Sequence, residues 1–153
     1  KMVSDLDPKT TAQINALCTL IIVWKFWCTT IFQGLRRPRA AEDYKNVSNL
    51  KQENQKLLLT KDGDGFSVAE RWNRIVLNDL ENIPITLILM WVSYVVNGNN
   101  YVTAISSILF VIGRVLHSIC YIYRLMPWRS YAWTVAFIGT FALPINIIYG
   151  AFR

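Results

Sequence analysis

Wound as a helix at about 100° per residue, the segment ERWNRIVLNDLENIPITLILMW (residues 70–91) brings Arg71, Arg74, Asn78 and Glu81 onto one stripe, with Glu70 beside them. The same winding puts Arg114, His117 and Tyr121 of GRVLHSICY on one face, at i, i+3 and i+7. Several guanidinium groups around one embedded carboxylate suit a ligand that carries more than one negative group and an amine. Guanidinium forks grip carboxylates bidentately, and Glu81 can hold an ammonium. Both stripes run into residues that belong in lipid, so they must face each other, water or another subunit. A polar site at the edge of a membrane also lets a water-soluble reactant meet a lipid-soluble one.

The elements that must position these residues follow from charge and hydropathy. Of 153 residues, 53% are hydrophobic, yet the net charge is +6, and the charges are segregated. The stretch 11–35 holds only Lys25, and 82–113 and 130–152 hold no charged residue. About 20 apolar residues cross a bilayer as a helix. The second stretch is too long for one span, and NGNN at 97–100 supplies the turn that divides it. The expected fold is therefore an all-α membrane protein, a single domain over 1–153 with four transmembrane helices at about 11–35, 68–96, 101–125 and 129–151. ITLILMWVSYVV does not alternate, which excludes barrel strands.

With four spans, the long polar 36–67 loop and the short 124–129 loop share one side. That side carries Arg36, Arg37, Arg39, Lys45, Lys51, Lys56, Lys61, Arg124 and Arg129, against Lys1, Lys9 and Arg153 opposite. The positive-inside tendency turns the loops to the cytoplasm or the mitochondrial matrix, consistent with an endoplasmic reticulum or mitochondrial membrane. Nearby anionic lipid accounts for the basic loop, so no nucleic-acid partner is expected. The loop's DGDGFSVAE lacks the end carboxylates of a calcium loop, with Thr60 and Arg71 at those positions. Cys18, Cys28 and Cys120 have no metal-like spacing and read as small buried apolar residues. No metal site is expected.

Arg114 is the residue hardest to explain by packing alone. It lies near the middle of an otherwise uncharged span, where an arginine costs several kcal/mol unless paired, and Glu81 or Glu70 is its expected partner. A purely structural network competes with a ligand site here, since Glu70 and Arg74 can pair at i, i+4 and Glu70 or Arg71 can reach headgroups.

ERWNRIVLNDLENIP resembles the helix 2 signature of the MAPEG family (membrane-associated proteins in eicosanoid and glutathione metabolism). VIGRVLHSICY resembles its helix 3 signature, and PWRS is similar to the arginine-serine pair that opens helix 4. The resemblance covers most of the chain outside 40–67. It implies a homotrimer of four-helix bundles with glutathione, as co-substrate, between subunits. Carried over by motif, Arg37, Arg74, Asn78, Glu81, His117, Tyr121, Arg129 and Ser130 would line the glutathione site, with Glu70, Arg71 and Arg114 in a supporting polar network.

A free thiol of pKa about 8.5 is mostly protonated at neutral pH, while the thiolate is the nucleophile. The resemblance assigns Arg129 to stabilise the thiolate and Ser130 to hydrogen-bond the sulfur, with a hydrophobic small-molecule electrophile or lipid hydroperoxide as second substrate. Glutathione transferase or peroxidase activity is the leading expectation. Val76 and Leu77 stand where prostaglandin synthases and related members carry a histidine and a further arginine, and Trp133 replaces a helix 4 tyrosine. Those departures point away from prostaglandin synthesis. The alternative reading is a non-catalytic subunit of a larger membrane complex, docked through the tryptophan-rich VWKFW and MPWRSYAW segments or the long loop.

Overall fold

The computed structural model describes residues 6–36 and 68–153. They form four helices: α1 (Pro8–Arg36), α2 (Val68–Val95), α3 (Asn100–Ile122) and α4 (Met126–Ala151). No strand occurs among the described residues. Each helix is long and apolar enough to span a bilayer. The long loop, with Arg37, lies outside the described residues.

The helix ends differ from expectation by a few residues, for local reasons. Helix α4 starts at Met126 rather than about 129 because Pro127, in the first turn, has no N–H to lose there. Helix α3 stops at Ile122, and Arg124 takes the left-handed φ of 60° that reverses the chain. In NGNN, Asn97 adopts φ 54°, and the Asn99 side chain accepts from the Val102 N–H at 3.2 Å to cap α3.

The bundle is polar within and apolar without. Leu20, Trp24, Trp27, Ile88, Ile105, Ile138 and Ile145 are exposed, whereas Thr11, Asn15, Asp79, Thr86, Ser93, Thr103 and Ser107 are fully buried. Lipid is as apolar as leucine, so close packing and interhelical hydrogen bonds must hold such helices together. The hydrogen bonds form layers. Near NGNN, Asn146 of α4 reaches Ser93 Oγ and Thr103 Oγ1, each at 2.9 Å. Further in, Asn15 Nδ2 donates to the Met90 carbonyl (3.3 Å) and Ser107 Oγ donates to Asn15 Oδ1 (2.7 Å). Next come the Thr86 and Thr140 hydroxyls, 3.0 Å apart. Ile22, Ile83, Met90, Phe110 and Leu143 pack between the layers.

Small residues let α3 and α4 touch backbone to backbone. A Cβ on Gly113 would stand 2.5 Å from the Ala136 N and 2.8 Å from the Ala132 O, and one on Gly139 2.8 Å from the Ser106 O. Gly113→Val should therefore force the two helices apart and lower stability by at least about 1–3 kcal/mol in detergent unfolding. A variant as stable as the parent would mean the crossing can open without cost.

Candidate functional site

At the end of the bundle nearest the 36–67 loop the layers become ionic. Asp79 of α2 is fully buried and takes a cation on each oxygen: Arg114 Nη2 of α3 on Oδ1 (2.5 Å) and Lys25 Nζ of α1 on Oδ2. Arg114 Nη1 donates to Asn78 Oδ1 at 2.6 Å. The expected partner of Arg114 was Glu81 or Glu70; the partner found is Asp79. Two residues from Glu81, Asp79 turns by about 200° around the helix, into the bundle instead of along the outer stripe. Glu81 is exposed, and the side chain of Glu70 is outside the described set. The triad sets two basic side chains against one carboxylate.

One turn towards the loop, His117 is buried, and its ring centroid lies 5.5 Å from that of Tyr121. The guanidinium of Arg129, at the start of α4, lies over the Tyr121 ring with Cζ 4.6 Å from the centroid. That contact holds the cation in place while leaving its N–H groups available to a ligand. Ser130 follows in the first turns of α4 and is exposed. Arg114 Nε and His117 Nδ1 are buried polar atoms with no hydrogen-bond partner among the described residues. Such orphans are rare in native folds.

Of the sequence-derived residues, Asn78 and Arg114 are hydrogen-bonded to each other, and His117, Tyr121 and Arg129 stack in sequence one turn further along α3 and α4. Arg74 and Glu81 lie on the exposed face of α2, and Arg71 is buried. Glu81 is an exposed carboxylate at the level of an apolar span, where a charge meets a counter-charge, water or another subunit. Sequence reasoning passed over Lys25 and Asp79. Their signal was present, since a lone lysine in an apolar span requires an anion on another helix. Of the departures from the family pattern, Val76 is buried and Leu77 exposed. The three cysteines are unpaired, with Cys18 and Cys120 buried. No cluster of metal-ligating residues occurs among the described ones.

Four spans with an ionic site built across three of them define a multi-pass integral membrane protein with an intramembrane polar centre. The chain matches the MAPEG family over residues 14–149 and belongs to it. It is similar to the prostaglandin E synthase of Bos taurus, 27% identical over 138 residues that make up 90% of this chain and 87% of that protein. It is likewise similar to the prostaglandin E synthase of Homo sapiens, 28% identical over 90% of this chain and 88% of that protein.

Proposed function

We propose that the protein binds glutathione against Arg129, Tyr121, His117, Asn78, Arg74 and Glu81 and presents its thiolate to hydrophobic electrophiles or lipid hydroperoxides. The observation that carries this reading is the Arg129–Tyr121–His117 cluster: a positioned cation beside an orphaned buried imidazole nitrogen. Glutathione brings two carboxylates, one ammonium and a thiol, and the residues present fit each. In this reading Arg74, with Arg37 from outside the described residues, would meet the carboxylates, Glu81 the ammonium, and Arg129 with Ser130 the sulfur. A guanidinium next to the sulfur favours the thiolate over the thiol. The site lies where a span meets the loop, so glutathione enters from water and its reactant from lipid.

The exposed polar face of α2 favours assembly, and a homotrimer in an endoplasmic reticulum or mitochondrial membrane is the expected form. There Arg37 and the outer stripe would close the site between subunits.

A second reading, isomerisation of a prostaglandin endoperoxide, is favoured by the printed names of the relatives. Trp133 argues against it, because an indole N–H cannot replace a phenolic hydroxyl as an acceptor. Purified protein assayed in parallel with chlorodinitrobenzene, cumene hydroperoxide and a prostaglandin endoperoxide separates the readings. Glutathione-dependent turnover of either of the first two, without isomerase activity, is expected. Isomerase activity alone would establish the second reading, and no turnover of any would favour a non-catalytic subunit.

A further inference from the structure

An arginine beside a carboxylate commonly grips it with two parallel N–H···O bonds. Arg114 does not grip Asp79 in this way. It gives Asp79 only Nη2, on Oδ1; its Nη1 goes to Asn78 Oδ1 at 2.6 Å, and its Nε–H has no partner among the described residues. The reason lies on a third helix, for Lys25 Nζ of α1 occupies Oδ2, the oxygen that a paired fork would use. Asp79 is fully buried and Arg114 is 1% exposed, so bulk water reaches neither. Lys25 thus splits the fork and leaves Arg114 a terminal nitrogen for Asn78.

The consequence for Asn78 follows from counting donors. A guanidinium has donors only, so the amide atom that faces Arg114 must be Oδ1. Asn78 is half-buried, and the end left for a ligand is Nδ2, which donates and cannot accept. Held in this orientation, Asn78 can serve a carboxylate or peptide carbonyl of glutathione, but not its ammonium or its amide N–H groups.

We propose that Lys25 is a positioning residue of the glutathione site: by holding Asp79 Oδ2 it turns Arg114 towards Asn78 and so fixes the Asn78 amide as a donor to the ligand. The inference rests on the glutathione reading above. Without Lys25, Oδ2 becomes a bare carboxylate oxygen in the interior, a costly state. Arg114 is then the one cation still bonded to Asp79, and it relieves that cost by covering both oxygens. Whichever edge of the guanidinium does so, the plane must turn, and turning takes Nη1 off Asn78. The amide is then free to rotate, and its donors are no longer aimed at the ligand.

The test uses the full chain in nanodiscs, with calorimetric titration of glutathione and glutathione-dependent conjugation of chlorodinitrobenzene. Lys25→Met fills the same space with an unbranched side chain that has no donor. It should weaken glutathione binding about fivefold to tenfold, the worth of one hydrogen bond. KM for glutathione should rise by the same factor while kcat changes by less than about twofold, because the sulfur contacts at Arg129 are untouched. Lys25→Arg returns a donor to Oδ2 and should restore binding. The decisive comparison is with Asn78→Ala: if Lys25 acts through Asn78, adding Lys25→Met to that variant weakens binding by less than about twofold, whereas a general structural effect multiplies with it. A crystal structure of the parent with glutathione is a check that needs no variant, with Lys25 expected on Oδ2 and a glutathione oxygen on Asn78 Nδ2. Parental binding by Lys25→Met, multiplying losses in the double variant, or Arg114 covering both Asp79 oxygens while Lys25 is in place would each overturn the inference. A parent that binds no glutathione would instead remove the glutathione reading, and the role of Lys25 with it.

Discussion

Arg129→Ala is expected to lower the rate of glutathione conjugation about 10²–10³-fold and to abolish the ultraviolet thiolate band of bound glutathione. The guanidinium is held over the Tyr121 ring at 4.6 Å, so its charge is localised at the start of α4 and is not shared with a carboxylate among the described residues. Removing it leaves the sulfur next to a methyl group, where a thiol of pKa about 8.5 stays mostly protonated at neutral pH. Arg129→Lys restores a positive charge without the planar fork, and its rate should fall between the two. Tyr121→Leu, which removes the ring but no charge, should weaken the band less than Arg129→Ala does. Unchanged conjugation and absorbance in Arg129→Ala would sink the assignment of this residue.

The second large effect concerns stability. Asp79→Asn leaves Lys25 and Arg114 inside the bundle without their shared anion. Breaking a buried pair in this way costs about 3–5 kcal/mol, because an uncompensated charge remains. The expected outcome is a marked fall in the thermal midpoint in detergent, with poor recovery of folded protein. Lys25→Met alone should be far milder, since it leaves Asp79 and Arg114 as a neutral pair. Combined with Asp79→Asn it should restore part of the lost stability, a coupling that a double-mutant cycle isolates. If Asp79→Asn is as stable as the parent, the triad is not what joins α1 to α2 and α3.

Much of this was legible in the sequence, and what was missed has a definite physical cause. Span number and position follow from hydropathy, because a backbone in lipid must satisfy its own hydrogen bonds and only helices of that length do so here. Arg114, His117 and Tyr121 share one helix face by spacing alone, and in the structure Asn78 contacts Arg114 and Arg129 contacts Tyr121. The pairing of Arg114 was missed because a helical wheel shows which residues share a face of one helix, but not which face meets a neighbour. On the stripe with Glu81, Arg74 and Glu81 are exposed while Arg71 is buried and Asn78 half-buried, and the fully buried anion is Asp79, off that stripe. Lys25 is the single charge of its span. Requiring an anion for every charge in lipid would have paired it. The close α3–α4 crossing at Gly113 and Gly139 likewise depends on two helices at once, which no single-helix pattern contains.

The most direct test of the central claim is calorimetric titration of glutathione into the purified protein in nanodiscs, with an ultraviolet scan of the same sample and the subunit stoichiometry determined. Saturable binding accompanied by a thiolate band is the predicted result. A folded protein that binds no glutathione would contradict the account and leave the charged centre as a scaffold for partner proteins.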